Sequence, residues 1–156
     1  MVGATLNRSK SGPIAPLDHE IGTNSAVFAV GDVLDITSGY LSVLGATTDR
    51  PYGICKKTVT MASDNVTVAK VQVPFTPLDM DSEFEMELDA AATQANVGQF
   101  FQFNTGGTGA QTVDLGSASD TVGQVLLVKL DPRDEGSTTR ARFKLALPEL
   151  AFEPET

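Results

Sequence analysis

The stretch LDMDSEFEMELD, residues 78–89, carries an acidic side chain at every odd position and an apolar one at most even positions. Side chains alternate faces along a strand, so Asp79, Asp81, Glu83, Glu85, Glu87 and Asp89 are expected on one side. Met80, Phe84, Met86 and Leu88 are expected on the other. A period of two over this length predicts a β-strand rather than a helix, with one apolar face turned to a core and one negative face turned to water.

The same alternation spreads outward. From residue 26 onward, short runs rich in Val, Ile, Thr and Phe are punctuated by Gly, Pro, Asp and Asn, the pattern of successive strands and turns. Strands are expected at 27–30, 33–37, 40–44, 52–56, 65–73, 83–88, 99–104, 111–115, 124–131 and 139–147. Ser38-Gly39 marks a tight turn between the second and third. The segment DAAATQAN at 89–96, with four alanines and Asp89 as a candidate cap, predicts the one helical turn. Many closely spaced strands, at most one short helix and no alternation of strand with helix predict an all-β chain, an antiparallel sandwich or barrel.

Three divisions follow. Residues 1–24 contain Gly3, Gly12, Pro13, Pro16 and Gly22 and show no strand or helix period, so they are expected to form an extended arm. Residues 25–148 form the domain, and residues 149–156, with three glutamates and Pro154, form an acidic tail that frays unless a neighbouring chain holds it. The arm's apolar residues are too few for a core of their own, and Leu6, Ile14, Leu17 and Ile21 are its candidate partner-binding positions.

Composition removes several function classes. With 156 residues, 41% hydrophobic and 20% charged, the chain has the size of one soluble domain, and no apolar run approaches bilayer length. No membrane partner is expected. The first eleven residues lack the apolar core of a secretory signal, so the sequons at Asn7 and Asn65 are not expected to be used. A net charge of −9 argues against nucleic acid, which needs a basic face to replace phosphate counterions. The single cysteine, Cys55, forbids an internal disulfide or a multi-thiolate metal site and reads as a small core residue.

Catalytic constellations are equally sparse. His19, the only histidine, lies in the Gly- and Pro-rich arm, which gives a serine triad no firmly held base, so it reads as a surface or docking residue. NTGGTGA at 104–110 has the glycines of a phosphate loop without the Gly-Lys-Ser/Thr that follows them, and reads as a loop tip. The acidic row could supply the carboxylate pair of a glycoside hydrolase, but the chain has no tryptophan and two tyrosines to form sugar platforms. A Ca²⁺ site would want ligands converging from a curved loop rather than a straight strand. No catalytic residue, metal or cofactor is therefore assigned.

Two further stretches carry a resemblance. VGDVLDI at 30–36, followed by RPYGI at 50–54, and VGQVLLVKLDPRDE at 122–135, leading into RARFKL at 140–145, are similar to small head proteins of tailed bacteriophages. The chain resembles their capsid decoration, or cement, proteins over about residues 26–147. That resemblance implies a β-sandwich or tulip-like domain, commonly trimeric, made in the host cytoplasm and seated on the outer capsid surface. It implies that the protein ties neighbouring major capsid protein subunits together, and it carries no catalytic residues. Burying the arm's few apolar side chains returns less than ordering its backbone costs, so a docked arm needs strand pairing as well. We therefore expect it to cross to another subunit. A tail or fibre-base component of the virion and a carbohydrate-binding module are the alternative functions.

Overall fold

The computed structural model describes residues 5–8, 18–46, 49–104, 111–131 and 138–146. Thirteen strands lie among them. The first half holds β1 (Thr5–Arg8), β2 (Asp18–Ile21), β3 (Val27–Phe28), β4 (Val33–Thr37), β5 (Tyr40–Val43), β6 (Gly53–Cys55), β7 (Val59–Thr60) and β8 (Gln72–Pro77). The second half holds β9 (Glu83–Ala92), β10 (Phe100–Asn104), β11 (Thr112–Ser119), β12 (Val125–Leu130) and β13 (Thr138–Leu145).

The alternating stretch is the keystone of the second half. Along β9, Phe84, Met86 and Leu88 are buried and enter a core with Phe101, Phe103, Val113, Val125, Leu127 and Phe143. These strands close on themselves: β9 pairs with β13, β13 with β12, β12 with β10 and β10 with β11, all antiparallel. A parallel contact, Val113 opposite Leu88, returns β11 to β9. Closure into a barrel leaves few free edges to aggregate. β9 is long enough to serve a third partner, and β1 lies antiparallel along its first residues, with Leu6 opposite Phe84.

In the first half, β2-β8-β6-β4-β5 forms a five-stranded antiparallel sheet. Its ends approach each other at a parallel bridge between Gly22 and Leu41, where the Thr23 N–H donates to the Leu41 carbonyl at 2.8 Å. The short pair β3–β7 flanks it. Alternation splits this sheet between two cores. Leu34 and Cys55 join Phe28, Leu41, Val73 and Phe75, while Val33 and Ile54 point the other way into the barrel core. The architecture is all-β, a sheet packed on a small barrel. The Ser38-Gly39 turn adopts positive φ at both residues, 52° and 84°, as a two-residue hairpin requires.

Two buried glutamines lock the halves together. The Gln111 side chain accepts from the Val33 N–H at 2.6 Å and donates to the Leu44 carbonyl at 2.9 Å. Gln124 accepts from the Phe103 N–H at 3.0 Å and donates to the Asp49 carbonyl at 2.7 Å.

Four local expectations are corrected. Residues 89–92 continue β9 rather than starting a helix, because barrel pairing (Ala92 opposite Thr138) outweighs the weak helical preference of three alanines. Only Gln94–Asn96 makes a single 3₁₀ turn, capped by Thr93 and Asn96. The strand expected at 65–73 begins at Gln72 instead, and Asn65–Ala69 forms one wide turn. Asn65 is the reason: its buried amide donates to the Gly22 and Val71 carbonyls and accepts from the Val71 N–H, satisfying backbone that a ladder would otherwise pair. Strand structure also reaches only back to Glu83, since Asp79 accepts from Ser82 and from the Asp81 N–H in a turn that leaves Met80 exposed. Finally, residues 1–24 are not free of strands, because β1 and β2 lie within them and pair with β9 and β8.

Candidate binding surfaces

The acidic row is a paired face rather than a bare one. β13 runs antiparallel beside β9 in a register that sets Arg140 opposite Glu87, Arg142 opposite Glu85 and Lys144 opposite Glu83. The Lys144 Nζ lies 3.8 Å from Glu83 Oε1, and the Arg142 Nε lies 3.8 Å from Glu85 Oε1. Cross-strand opposite charges of this kind contribute about 0.2–1 kcal/mol each and strongly disfavour a register slip. Glu83 is buried, and Glu85 and Glu87 are half-buried. Asp89 does not cap a helix; its Oδ1 accepts from the Leu115 N–H at 2.9 Å. The face expected to be wet and negative is solvated at Asp79, Asp81 and Asp89, but its charge at Glu83, Glu85 and Glu87 is offset by the basic row, which repeats with the same period two in RARFK at 140–144.

A different surface is concave. A groove of about 610 Å³ runs between β2–β8 and the turn leading into β7, lined by His19, Lys57, Thr58, Val59, Thr60, Val71, Gln72 and Pro74. Strand alternation explains its chemistry. His19 stands opposite Pro74 and Ile21 opposite Gln72, whereas Asp18 and Glu20 stand opposite Phe75 and Val73, which face the core. The acidic neighbours of His19 therefore belong to the other face, and the groove's charged lining is basic. Val27, opposite Thr60, and Val30, whose N–H donates to Thr58 Oγ1, are each 59% exposed beside it.

No family model matches the chain, and no curated protein matches it.

Of the four arm positions named from sequence, Leu6 sits on β1 and Ile21 on β2, and the two do not share a sheet. Ile14 and Leu17 lie outside the described residues. His19 falls in the groove. Sequence reasoning missed Lys57, Thr58, Thr60 and Gln72, which come from two separate segments and show no local period. Cys55 is fully buried, and burial pushes its thiol above the ordinary range, which makes it unreactive. Among the described residues, no group of three His, Cys, Asp or Glu side chains is placed to hold a metal ion.

Two carboxyls in the first half are strained electrostatically. Burial raises both Asp32 and Asp35 above the ordinary carboxylate range, opposed at Asp32 by the Ala29 N–H and at Asp35 by the Ser42 hydroxyl. The charge of Asp49 raises Asp35 further. The folded chain thus holds the Asp35 proton more tightly than the unfolded chain, whose carboxyl titrates near 3.9. Its contribution to stability is complete below that pH and is lost as pH rises through the folded value. Asp35→Asn removes this loss while retaining an oxygen for Ser42. Urea midpoints of variant and wild type are expected to diverge in the variant's favour as pH rises from about 4 to about 7. A constant difference across that interval would contradict the assignment.

Proposed function

We propose that the chain is a structural binding protein of a tailed-phage head, fastened to the outer capsid surface where it ties neighbouring major capsid protein subunits together. The resemblance of residues 30–36, 50–54, 122–135 and 140–145 supports the class. The observation that carries the fastening is the placement of the N-terminal strands: β1 is the terminal strand of one sheet and β2 of the other. A terminal strand is held on one side by a backbone ladder, and such a ladder is indifferent to which chain supplies the added strand. In the proposed assembly, a homotrimer, β1 of one copy is laid on β9 of the next.

The pairing of β2 with β8 sets where the arm can be cut. Residues 18–22 complete the first sheet, so the informative truncation removes residues 1–9 and spares β2. The full chain is expected to co-sediment with empty heads built from the cognate major capsid protein and to raise their melting temperature. The truncated chain is expected to keep its circular dichroism spectrum and bind at least tenfold more weakly. Failure of the full chain to bind heads, or equal binding by the truncated chain, would overturn the proposal.

A further inference from the structure

The geometry points to the groove between β2–β8 and β7 as the docking site for residues 147–156 of a second copy of this chain. The inference requires self-association, but neither a phage head nor exchange of β1. It begins from an imbalance of charge. The chain carries −9 overall, so copies repel unless a specific basic feature receives an acidic one. The groove is such a feature: Lys57 and His19 line it, no carboxylate among the described residues does, and alternation sends Asp18 and Glu20 to the opposite face.

The remainder of the lining states what else the occupant must offer. Val59, Val71 and Pro74 give an apolar floor and walls, and Thr58, Thr60 and Gln72 add hydroxyl and amide groups able to bond a peptide backbone. The volume of about 610 Å³ lies in the range that takes a small ligand or a few residues of extended chain. Val27 and Val30, each 59% exposed on the flanking segment, extend the apolar surface past the rim.

The sequence LPELAFEPET at 147–156 fits this requirement. It alternates acidic and apolar character, with Glu149, Glu153 and Glu155 for the basic groups and Leu147, Leu150 and Phe152 for the valines and proline. Pro148 and Pro154 disfavour a helix and pre-set an extended backbone. Ten residues reach up to about 33–36 Å when extended, enough to leave one copy and lie across a groove on another.

Charge exchange between full-length chains tests this directly, with mass read by light scattering. Wild type is expected to self-associate, and raising salt from low to about 1 M is expected to weaken that association at least tenfold. Lys57→Glu is expected to weaken it at least tenfold, as is the triple change Glu149→Lys, Glu153→Lys, Glu155→Lys. A mixture of the two variants is expected to recover a complex, because the acidic groove of one then meets the basic segment of the other. Lys57→Gln, with an intermediate loss, guards against misfolding of the charge reversal. Monomeric wild type, variants as associated as wild type, or a mixture that stays dissociated would each overturn the inference.

Discussion

Phe84→Ala is expected to lower the stability of the folded chain by about 3–5 kcal/mol. Phe84 is fully buried on β9, the strand that touches β1, β11 and β13, and stands opposite Leu6 of β1 on one side and Phe143 of β13 on the other. Its centroid lies 6.2 Å from that of Phe143 on the facing strand, in tilted geometry that adds about 0.5–1.5 kcal/mol beyond area burial. Strands on both sides hold the site open, so the cavity left by the ring cannot collapse, and the cost falls toward the upper part of the range for aromatic truncation. The effect should not be confined to the barrel. Val33, Leu44 and Ile54 of the first half share that core, so unfolding in urea is expected to remain a single transition, shifted to lower denaturant with its slope unchanged. A loss under about 1 kcal/mol, or a transition that splits in two, would show that the sheet and barrel are not coupled through this cluster.

Gln111→Leu tests the other coupling, the polar one. Leucine approximates the volume of glutamine but neither accepts from the Val33 N–H nor donates to the Leu44 carbonyl. Both backbone groups are buried, and each such group left without a partner costs about 1–3 kcal/mol. The expected loss is about 2–4 kcal/mol, read from the thermal or urea midpoint, despite the more apolar side chain. A neutral or stabilising outcome would mean that water replaces the amide at the junction, and would assign the hold between the halves to packing alone. Removing a surface charge is expected to do far less: Glu85 and Arg142 are both partly exposed at 3.8 Å, and pairs of this kind are worth about 0–1 kcal/mol.

The contrast between these sites explains what could be read in advance. Phe84, Met86 and Leu88 were legible because a two-residue period is local, and the turn at Ser38-Gly39 because positive φ selects a small set of residues. The all-β class follows from repeating those two signals along the chain. Residues 89–92 misled because alanine's helical preference amounts to a few tenths of a kcal/mol per residue, less than a barrel ladder supplies. Asn65 misled in the opposite direction, since the strand-like VTVAKVQV that follows it gives no hint that its side chain would reach Gly22, forty-three positions away.

The acidic row shows a subtler limit. Its period was visible, and so was the period of Arg140, Arg142 and Lys144, but which strands lie side by side is a property of topology. The same holds for the groove, whose lining comes from β2, β8 and the approach to β7, and for the two glutamines, whose partners in the first half lie 67 to 78 positions away. Contacts of that range leave no trace in local composition.

Strand β1 bears most directly on how this protein would fasten to others. Thr5 and Glu85 are ladder partners, with Cα atoms at the spacing that a disulfide tolerates, about 4.5–5.5 Å for antiparallel pairs. Cys55 is buried and stays out of any thiol exchange. The decisive measurement is the mass, on a denaturing gel without reductant, of a Thr5→Cys/Glu85→Cys chain oxidised at the concentration where it self-associates. Exchange of β1 between copies predicts covalent dimers and trimers that collapse to one band on reduction. Cross-linked monomers alone would contradict it, and would leave β1 as the outer strand of its own barrel.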